Sequence, residues 1–364
     1  MAGMRRRAAC FCGCAVLSSC APPPCDNPTE QTLGALTPWE QAYLDAPAPA
    51  SPPPSFLAAE DGLGLAVHDW VPTDWDGAGS VVLFVPGSSA YAELYAQLGE
   101  GLATRGVLSR IIDVRGHGRS VCSASGECND PPAGGYRTQD DGDYWVGRPG
   151  DSLDEDQITR DVSRHVAALR ALYPDARLTL SGHSSGGGVV SRYVEHGGLA
   201  TVDGVALIAP FNHPDQAQNL EGAQSLCPDT AGSSYAQVDL AALGDALRGN
   251  EHRYVLNFVK EPALTTDLDT LRYTYPTVAG MAADDPDGFL AAYVQPVLWL
   301  AAEHDAVLDL AASRAQFDRL AGGGAFVTVL GTSHVGLSWS DPVAGVLATW
   351  AVDPTAVVTS ELSP

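Results

Sequence analysis

The hydrophobic positions of this 364-residue chain form short apolar runs separated by longer segments with helical spacing. Short apolar runs bounded by turn residues are typical of buried strands. These runs cover residues 81–85, 108–114, 178–180, 202–208, 297–301 and 326–330. Helical spacing covers residues 91–105, 152–169 (begun by a Ser152–Glu155 capping box), 187–194 and 311–320. Strands that alternate with such helices predict a mostly parallel, doubly wound α/β sheet with helices on both faces.

The alternation stops near residue 211 and resumes near residue 295. We therefore predict a core formed by residues 56–211 and 294–364, with residues 212–293 inserted as a cap over the sheet. Leu240, Leu243 and Leu247 recur at helical spacing inside the insertion, which predicts a mainly helical cap whose apolar face packs on the core.

The N-terminus has the order of a secretory signal. A short basic region over residues 1–7 precedes an apolar run over residues 8–17, which is too short to span a membrane. Leu17-Ser18-Ser19-Cys20 resembles the lipobox of bacterial lipoproteins, so we predict a signal peptide over residues 1–19 and a lipid on Cys20. An ordinary signal peptide with a coincidental cysteine is the alternative.

Residues 20–55 are rich in Pro and Ala, a composition that favours extended segments over packing. We predict that they tether the domain to a membrane, with one short helix near residues 39–44. Pro22 offers no inner-membrane retention signal, so the sequence favours an exported lipoprotein at the outer membrane or cell surface.

Charge and cysteine use narrow the partners and the compartment. The chain has 44 acidic and 20 basic residues, a net charge of −24, which disfavours binding to nucleic acid. Cys122 and Cys128 lie close together in one loop and are predicted to form a disulfide if the protein is exported, or to be two thiols otherwise. The pairing of Cys25 and Cys227 stays open.

The strongest chemical signal is Gly182-His183-Ser184-Ser185-Gly186. It follows a predicted strand and precedes a predicted helix, the context in which a sharp turn exposes a nucleophilic serine. Side chains at the flanking glycine positions would clash across such a turn. The sequence therefore predicts Ser184 as a nucleophile rather than as an incidental serine in a glycine-rich turn.

A serine nucleophile needs a base that an acid orients. Asp305 follows the strand predicted over residues 297–301, and His334 follows the one over residues 326–330. Parallel α/β sheets place their sites at these strand ends, so we predict a Ser184–His334–Asp305 triad. Glu303 and Asp309 are rival acids.

The oxyanion of an acyl-transfer intermediate needs fixed hydrogen-bond donors. We predict the backbone N–H of Ser185, directly after the nucleophile, and that of Ser88, in the loop after the strand over residues 81–85. The alternative reading of Pro86-Gly87 is a plain turn.

With these motifs the chain resembles α/β hydrolases of the monoacylglycerol lipase, lysophospholipase and serine-aminopeptidase-like group. The matching pieces are Val85-Pro86-Gly87-Ser88, residues 113–120 (DVRGHGRS), Gly182-His183-Ser184-Ser185-Gly186, residues 302–305 (AEHD) and Ser333-His334. The resemblance implies the α/β-hydrolase fold, acyl hydrolase activity, the residues named above, no cofactor or metal, and a structural role for His117. Pro86-Gly87 stands where the group usually has His-Gly.

The leading functional prediction is hydrolysis of a small carboxylic ester, with a preference for short to medium acyl chains. Acyl transfer and peptide hydrolysis use the same triad and stay open. A lipoprotein that kept the fold as a binding module is a third reading, disfavoured because all three triad residue types are present.

Overall fold

The structure, a computed structural model, describes residues 36–47, 49–123, 126–129, 143–213, 230–232, 236–258 and 266–363. The predicted signal peptide, the lipidation candidate Cys20, and Cys25 and Cys227 lie outside the described residues.

The strands of the described residues form two sheets. They are β1 (Ser55–Ala58), β2 (Gly64–Trp70), β3 (Ser80–Val85), β4 (Val107–Ile112), β5 (Arg177–His183), β6 (Gly204–Ile208), β7 (Thr230–Gly232), β8 (Ala236–Asp239), β9 (Tyr254–Phe258), β10 (Arg272–Thr274), β11 (Val297–His304), β12 (Gly324–Ser333) and β13 (Ser360–Leu362). The larger sheet has the order β1-β2-β4-β3-β5-β6-β11-β12-β13. Its β1–β2 and β2–β4 pairs are antiparallel and the others parallel, which confirms the predicted α/β-hydrolase fold class.

The described α-helices are α1 (Pro38–Asp45), α2 (Ala96–Ala103), α3 (Gln157–Leu172), α4 (Ser185–Glu195), α5 (Leu240–Ala246), α6 (Tyr275–Gly280), α7 (Gly288–Ala292), α8 (Leu310–Phe317) and α9 (Asp341–Val352). Helices α3, α4 and α8 pack on one face of the sheet, and α2 and α9 on the other. Strand β3 shows why both faces are covered: Val81, Leu83 and Val85 face the first layer, while Val82 and Phe84 face the second. No helix in the described residues is long and apolar enough to cross a bilayer.

Helix α3 begins later than the sequence pattern indicates. It starts at Gln157 with Asp156 as N-cap, so the predicted capping box of Ser152 and Glu155 is wrong. Ser152 is instead fully buried, and its hydroxyl accepts a hydrogen bond from Thr277 of the cap at 3.3 Å. Ser152, which the sequence pattern indicates as a helix N-cap, thus makes a tertiary contact instead.

The described part of the cap is mixed rather than mainly helical. Strands β7 to β10 form a second, antiparallel sheet beside α5, α6 and α7. Helix α5 buries Ala242, Leu243 and Ala246, whereas Leu240 and Leu247 are 45% and 55% exposed. The predicted leucine face is therefore only partly buried.

Part of the predicted tether packs on the core. Helix α1 lies within residues 20–55 and buries Glu40 completely. Residues 46–54, by contrast, contribute no helix or strand where described. The Pro/Ala composition did not reveal this contact because it depends on residues almost 300 positions away in sequence.

Cys122 and Cys128 form a disulfide that closes a six-residue separation. Cys122 is buried in a small cluster with Ala59, Leu63 and Leu65. The bridge therefore attaches the start of the long loop to the edge of the core.

Candidate active site

Ser184 occupies a sharp turn between β5 and α4. Its φ and ψ are 53° and −125°, a conformation that costs a non-glycine residue about 1–3 kcal/mol. The Ser184 N–H donates to Ile208 O at 3.0 Å, which ties the turn to β6. A Cβ at Gly182 would overlap the carbonyl group of Gly186, and a Cβ at Gly186 would overlap the carbonyl oxygen of Val85. The glycines are thus required by close backbone approach.

His334 and Asp305 form a buried hydrogen-bonded pair. His334 Nδ1 lies 2.8 Å from Asp305 Oδ2, with both side chains almost fully buried. Asp305 Oδ1 accepts from the backbone N–H groups of Val307 and Leu308, each at 2.8 Å. These bonds hold the carboxylate so that His334 Nδ1 carries the proton and Nε2 is left as the basic nitrogen.

The rival acids have other partners. Glu303 accepts from the Gly331 N–H at 2.7 Å, and Asp309 caps α8 by accepting from the Ala312 N–H at 2.7 Å. Of the three candidates, the structure brings Asp305 to the histidine.

His183, which the sequence analysis did not identify as a site residue, connects the turn at Ser184 to the loop that carries His334. Its Nε2 lies 3.0 Å from His334 O, and its ring packs on the His334 ring with centroids 5.0 Å apart. A carbonyl oxygen only accepts, so Nε2 carries the proton. Burial lowers the pKa of His183 to about 3, so the ring is neutral and Nδ1 is an acceptor at neutral pH.

That acceptor extends the network to the loop after β3. Tyr95 Oη lies 2.9 Å from His183 Nδ1 and accepts from the Gly87 N–H at 2.9 Å. Hydrogen bonds therefore run from Gly87 through Tyr95 and His183 to the backbone of His334. The only sequence signal for this role is the histidine inside the G-x-S-x-G motif; nothing local marks Tyr95.

The two predicted oxyanion residues lie together. Ser88 Oγ donates to Ser185 Oγ at 2.8 Å. Ser185 is the first residue of α4, so its N–H has no acceptor within the helix. A Cβ at Gly87 would lie 3.0 Å from Ser184 Cβ, which shows how closely this loop approaches Ser184.

The cap holds the same loop from above through Tyr273, a residue in a segment where the sequence showed no pattern. Its hydroxyl accepts from the Ser89 N–H and lies 2.6 Å from His117 Nε2. His117 Nδ1 faces Arg115 O at 2.9 Å, and because a carbonyl oxygen only accepts, Nδ1 carries a proton there. This contact agrees with the structural role that the resemblance implies for His117.

A sequence model of the family described as "Serine aminopeptidase, S33" matches residues 77–334, more than half of the chain and all of the residues placed above. The chain belongs to this S33 hydrolase family.

Solved structures similar to this S33 hydrolase share its fold at low sequence identity. A soluble variant of the monoglyceride lipase from Saccharomyces cerevisiae, in complex with a substrate analogue, superposes with a TM-score of 0.58 at 16% identity, covering 84% of this chain and 98% of the other. The monoacylglycerol lipase of Paleococcus ferrophilus gives 0.53 at 18% identity, covering 79% and 98%. Est1E from Butyrivibrio proteoclasticus with bound ferulic acid gives 0.54 at 15% identity, covering 83% and 100%.

Proposed function

We propose that this S33 hydrolase cleaves carboxylic esters through Ser184, His334 and Asp305. The observation that carries the proposal is the link between the strained Ser184 turn and the hydrogen-bonded His334–Asp305 pair, made by His183, which precedes Ser184 in the chain and bonds to the carbonyl oxygen of His334. In the described residues, His334 Nε2 is buried and has no hydrogen-bond partner. A basic nitrogen with that environment is suited to accept the proton of a serine nucleophile.

The reaction has two halves. Ser184 Oγ attacks the ester carbonyl while His334 Nε2 accepts its proton, and Asp305 stabilises the resulting imidazolium. The backbone N–H groups of Ser88 and Ser185 stabilise the oxyanion. His334 then donates its proton to the departing alcohol, leaving an acyl-enzyme. Water, deprotonated by His334, attacks that acyl group; the bond to Ser184 Oγ breaks, His334 returns the proton to Ser184, and the acid is released.

The test combines labelling and turnover. Ser184→Ala should abolish labelling by a fluorophosphonate probe and lower kcat on an activated acetate ester by about 10⁶-fold, and Asp305→Ala should lower it by about 10⁴-fold, because the acid supports rather than attacks. Ser163→Ala is the matched control, since that hydroxyl only donates to Thr159 O within α3. Ser184→Ala protein that folds and retains near-wild-type turnover would refute the assignment.

Within this function we propose a preference for short to medium acyl chains. A lid that opens onto lipid aggregates needs an apolar face of several hundred Å². In the described cap, the exposed Leu240 and Leu247 lie at the two ends of α5, near the ion-paired Asp245 and Arg248. Asp269 of the cap is buried and accepts from the Thr266 N–H at 2.7 Å.

A series of esters from acetate to palmitate tests the acyl preference. Each methylene held in the pocket gains about 0.8 kcal/mol, so kcat/KM should rise with length and then level off or fall in the medium range. A monoacylglycerol and a lysophospholipid should be included in the series. A steady rise to palmitate with activation above the micellar concentration would contradict this proposal.

Peptide hydrolysis is the second candidate, favoured by the family description as serine aminopeptidase. The same triad can attack an amide. Turnover of aminoacyl anilides that exceeds turnover of every ester, with equal dependence on Ser184, would select the peptidase over the esterase.

A further inference from the structure

Helix α1, in the segment that leads from the N-terminus into the domain, contacts the loop that carries His334. The contacts reach residues 331, 333, 336 and 339, on both sides of the histidine. The segment is rich in Pro and Ala. Residues 46–54, which follow the helix, form no helix or strand where described.

Glu40 makes the central contact. Its side chain is 0% exposed, and its carboxylate accepts from the N–H of Thr37 at 2.7 Å and from the N–H of Ser333 at 2.8 Å. Hydrogen bonds to an ionised acceptor are stronger than neutral ones. A Cβ added at Gly336 would overlap Glu40 Oε1, so the loop is shaped to admit this carboxylate.

Two aromatic contacts flank the carboxylate. Trp39 Nε1 donates to Gly331 O at 2.9 Å, and the ring of Tyr43 stacks on Trp339 with centroids 5.1 Å apart. Gly331 also donates its N–H to Glu303 at 2.7 Å. The loop is therefore held at three successive points by one short helix.

We propose that Glu40 is a positioning residue for the reaction, acting through the backbone of Ser333 to orient His334. The proposal rests on the proposed function, since it assigns the role by way of the triad histidine. His334 is bonded to Asp305 through Nδ1 and to His183 through its carbonyl oxygen. The Glu40–Ser333 bond adds an anchor one residue earlier in the chain, which restricts the direction in which the imidazole points. A displacement of about 1 Å in such a group costs up to about 100-fold in rate.

A packing role alone makes a different prediction. If α1 only covered apolar surface, its loss would lower stability and leave kcat per folded molecule unchanged. A positioning role instead lowers kcat while KM for a small ester stays nearly constant, because substrate binding does not use Glu40. It also changes the low-field proton NMR signal of the His334 Nδ1–H···Asp305 bond, which reports the geometry of that pair.

The experiment uses the full chain and compares Glu40→Ala, Glu40→Gln and Asp45→Asn. We expect Glu40→Ala to lower kcat and the rate of fluorophosphonate labelling by about 10- to 100-fold, with KM within about twofold. Glu40→Gln keeps one oxygen acceptor and should recover part of the loss. Asp45→Asn is the matched control: it removes a carboxylate from the same helix that accepts a hydrogen bond from the exposed side chain of Gln41.

A folded Glu40→Ala protein with wild-type kcat and an unchanged Nδ1–H signal would overturn the proposal. If Glu40→Ala does not fold, Trp39→Phe decides, because it keeps the ring and removes only the N–H to Gly331 O. We expect it to lower kcat about threefold; an unchanged kcat would overturn the proposal. Wild-type labelling that does not depend on Ser184 would refute the proposed function itself, and the positioning role with it.

Discussion

Residues with a left-handed backbone are concentrated at the site. Of the four non-glycine residues with positive φ in the described chain, Ser184 is the proposed nucleophile and Ser89 follows the proposed oxyanion residue Ser88. Ala209, a third, follows β6 and donates its N–H to Leu300 O at 2.7 Å. Such conformations cost about 1–3 kcal/mol each and persist only where surrounding contacts enforce them. For Ser184 the enforcing contact is the hydrogen bond from its N–H to Ile208 O, and for Ser89 it is the hydrogen bond from its N–H to the Tyr273 hydroxyl.

A buried histidine away from the site predicts how stability depends on pH. Burial, with smaller contributions from Arg110 and Arg164, lowers the pKa of His165 from 6.5 to about 3. Between these values the unfolded chain binds a proton that the folded protein does not, so the free energy of unfolding falls as pH falls through this window. Above pH 6.5 His165 contributes nothing to the change of the free energy of unfolding with pH.

His165→Leu should therefore reduce the loss of stability between pH 6.5 and pH 4.5 by about 2 kcal/mol relative to the wild type. Urea unfolding at a series of pH values measures it. Above pH 7 the curves for variant and wild type should run parallel, which serves as the internal control. Identical slopes below pH 6.5 would show that the pKa of His165 is not lowered in the folded protein.

Three elements converge on the loop after β3. On one side the loop contacts Tyr95, the last residue of the 3-10 turn over Ala92–Tyr95, and on the other it contacts Tyr273 of β10 in the cap. Helix α4 lies beneath the loop. The cap thus contacts the loop that carries Ser88, one of the two proposed oxyanion residues, through the neighbouring Ser89. Because Tyr273 satisfies the N–H of Ser89, the strained loop depends on an element almost 200 residues away in sequence.

Tyr273→Phe should lower kcat about tenfold and destabilise the protein by about 1–3 kcal/mol, since the buried Ser89 N–H and His117 Nε2 lose a partner. Steady-state kinetics and thermal unfolding measure the two effects. Tyr275→Phe makes the same chemical change two residues on, at the start of α6, and should leave kcat unchanged. Equal kinetics for both variants would count against a role for the cap in shaping the oxyanion loop.

At the scale of the whole molecule, an acidic hydrolase follows a segment that we propose to be lipid-anchored. The net charge of −24 opposes binding to anionic membrane surfaces, so membrane association would depend on a covalent lipid. Because α1 packs on the domain, the part of the predicted tether that remains for this role lies between Cys20 and Pro38.

Cys20→Ala should release the exported protein from the membrane fraction of a bacterial host and abolish incorporation of labelled palmitate. Cys25→Ala, five residues further along the same segment, is the control and should stay membrane-bound. Fractionation and metabolic labelling measure both. A Cys20→Ala protein that fractionates like the wild type would refute the lipid anchor.

The sequence alone determined where six of the parallel strands, β3 to β6, β11 and β12, lie along the chain with their helices, and the candidate positions of Ser184, Asp305 and His334. These features are local: a buried strand is a run of apolar residues, and the nucleophile turn needs glycines at fixed spacing. Strand ends in a parallel sheet meet at one edge, so residues far apart in the chain could be assigned to one site. The choice among Glu303, Asp305 and Asp309 rested on position, and the structure supplied the contact with His334.

Tertiary structure alone decided the parts that depend on long-range contacts. Ser152 has the local signature of a helix cap, but burial under the cap gives it another partner. Glu40 lies in a segment whose composition is typical of a tether, and only the folded chain brings it to Ser333. The cap's sheet, Tyr273 and Tyr95 have no local signature, because strands of three to five residues and single tyrosines acquire their roles from what they pack against. Hydrogen bonds between residues that are distant in the chain cannot be read from periodicity, whereas the elements that carry those residues can.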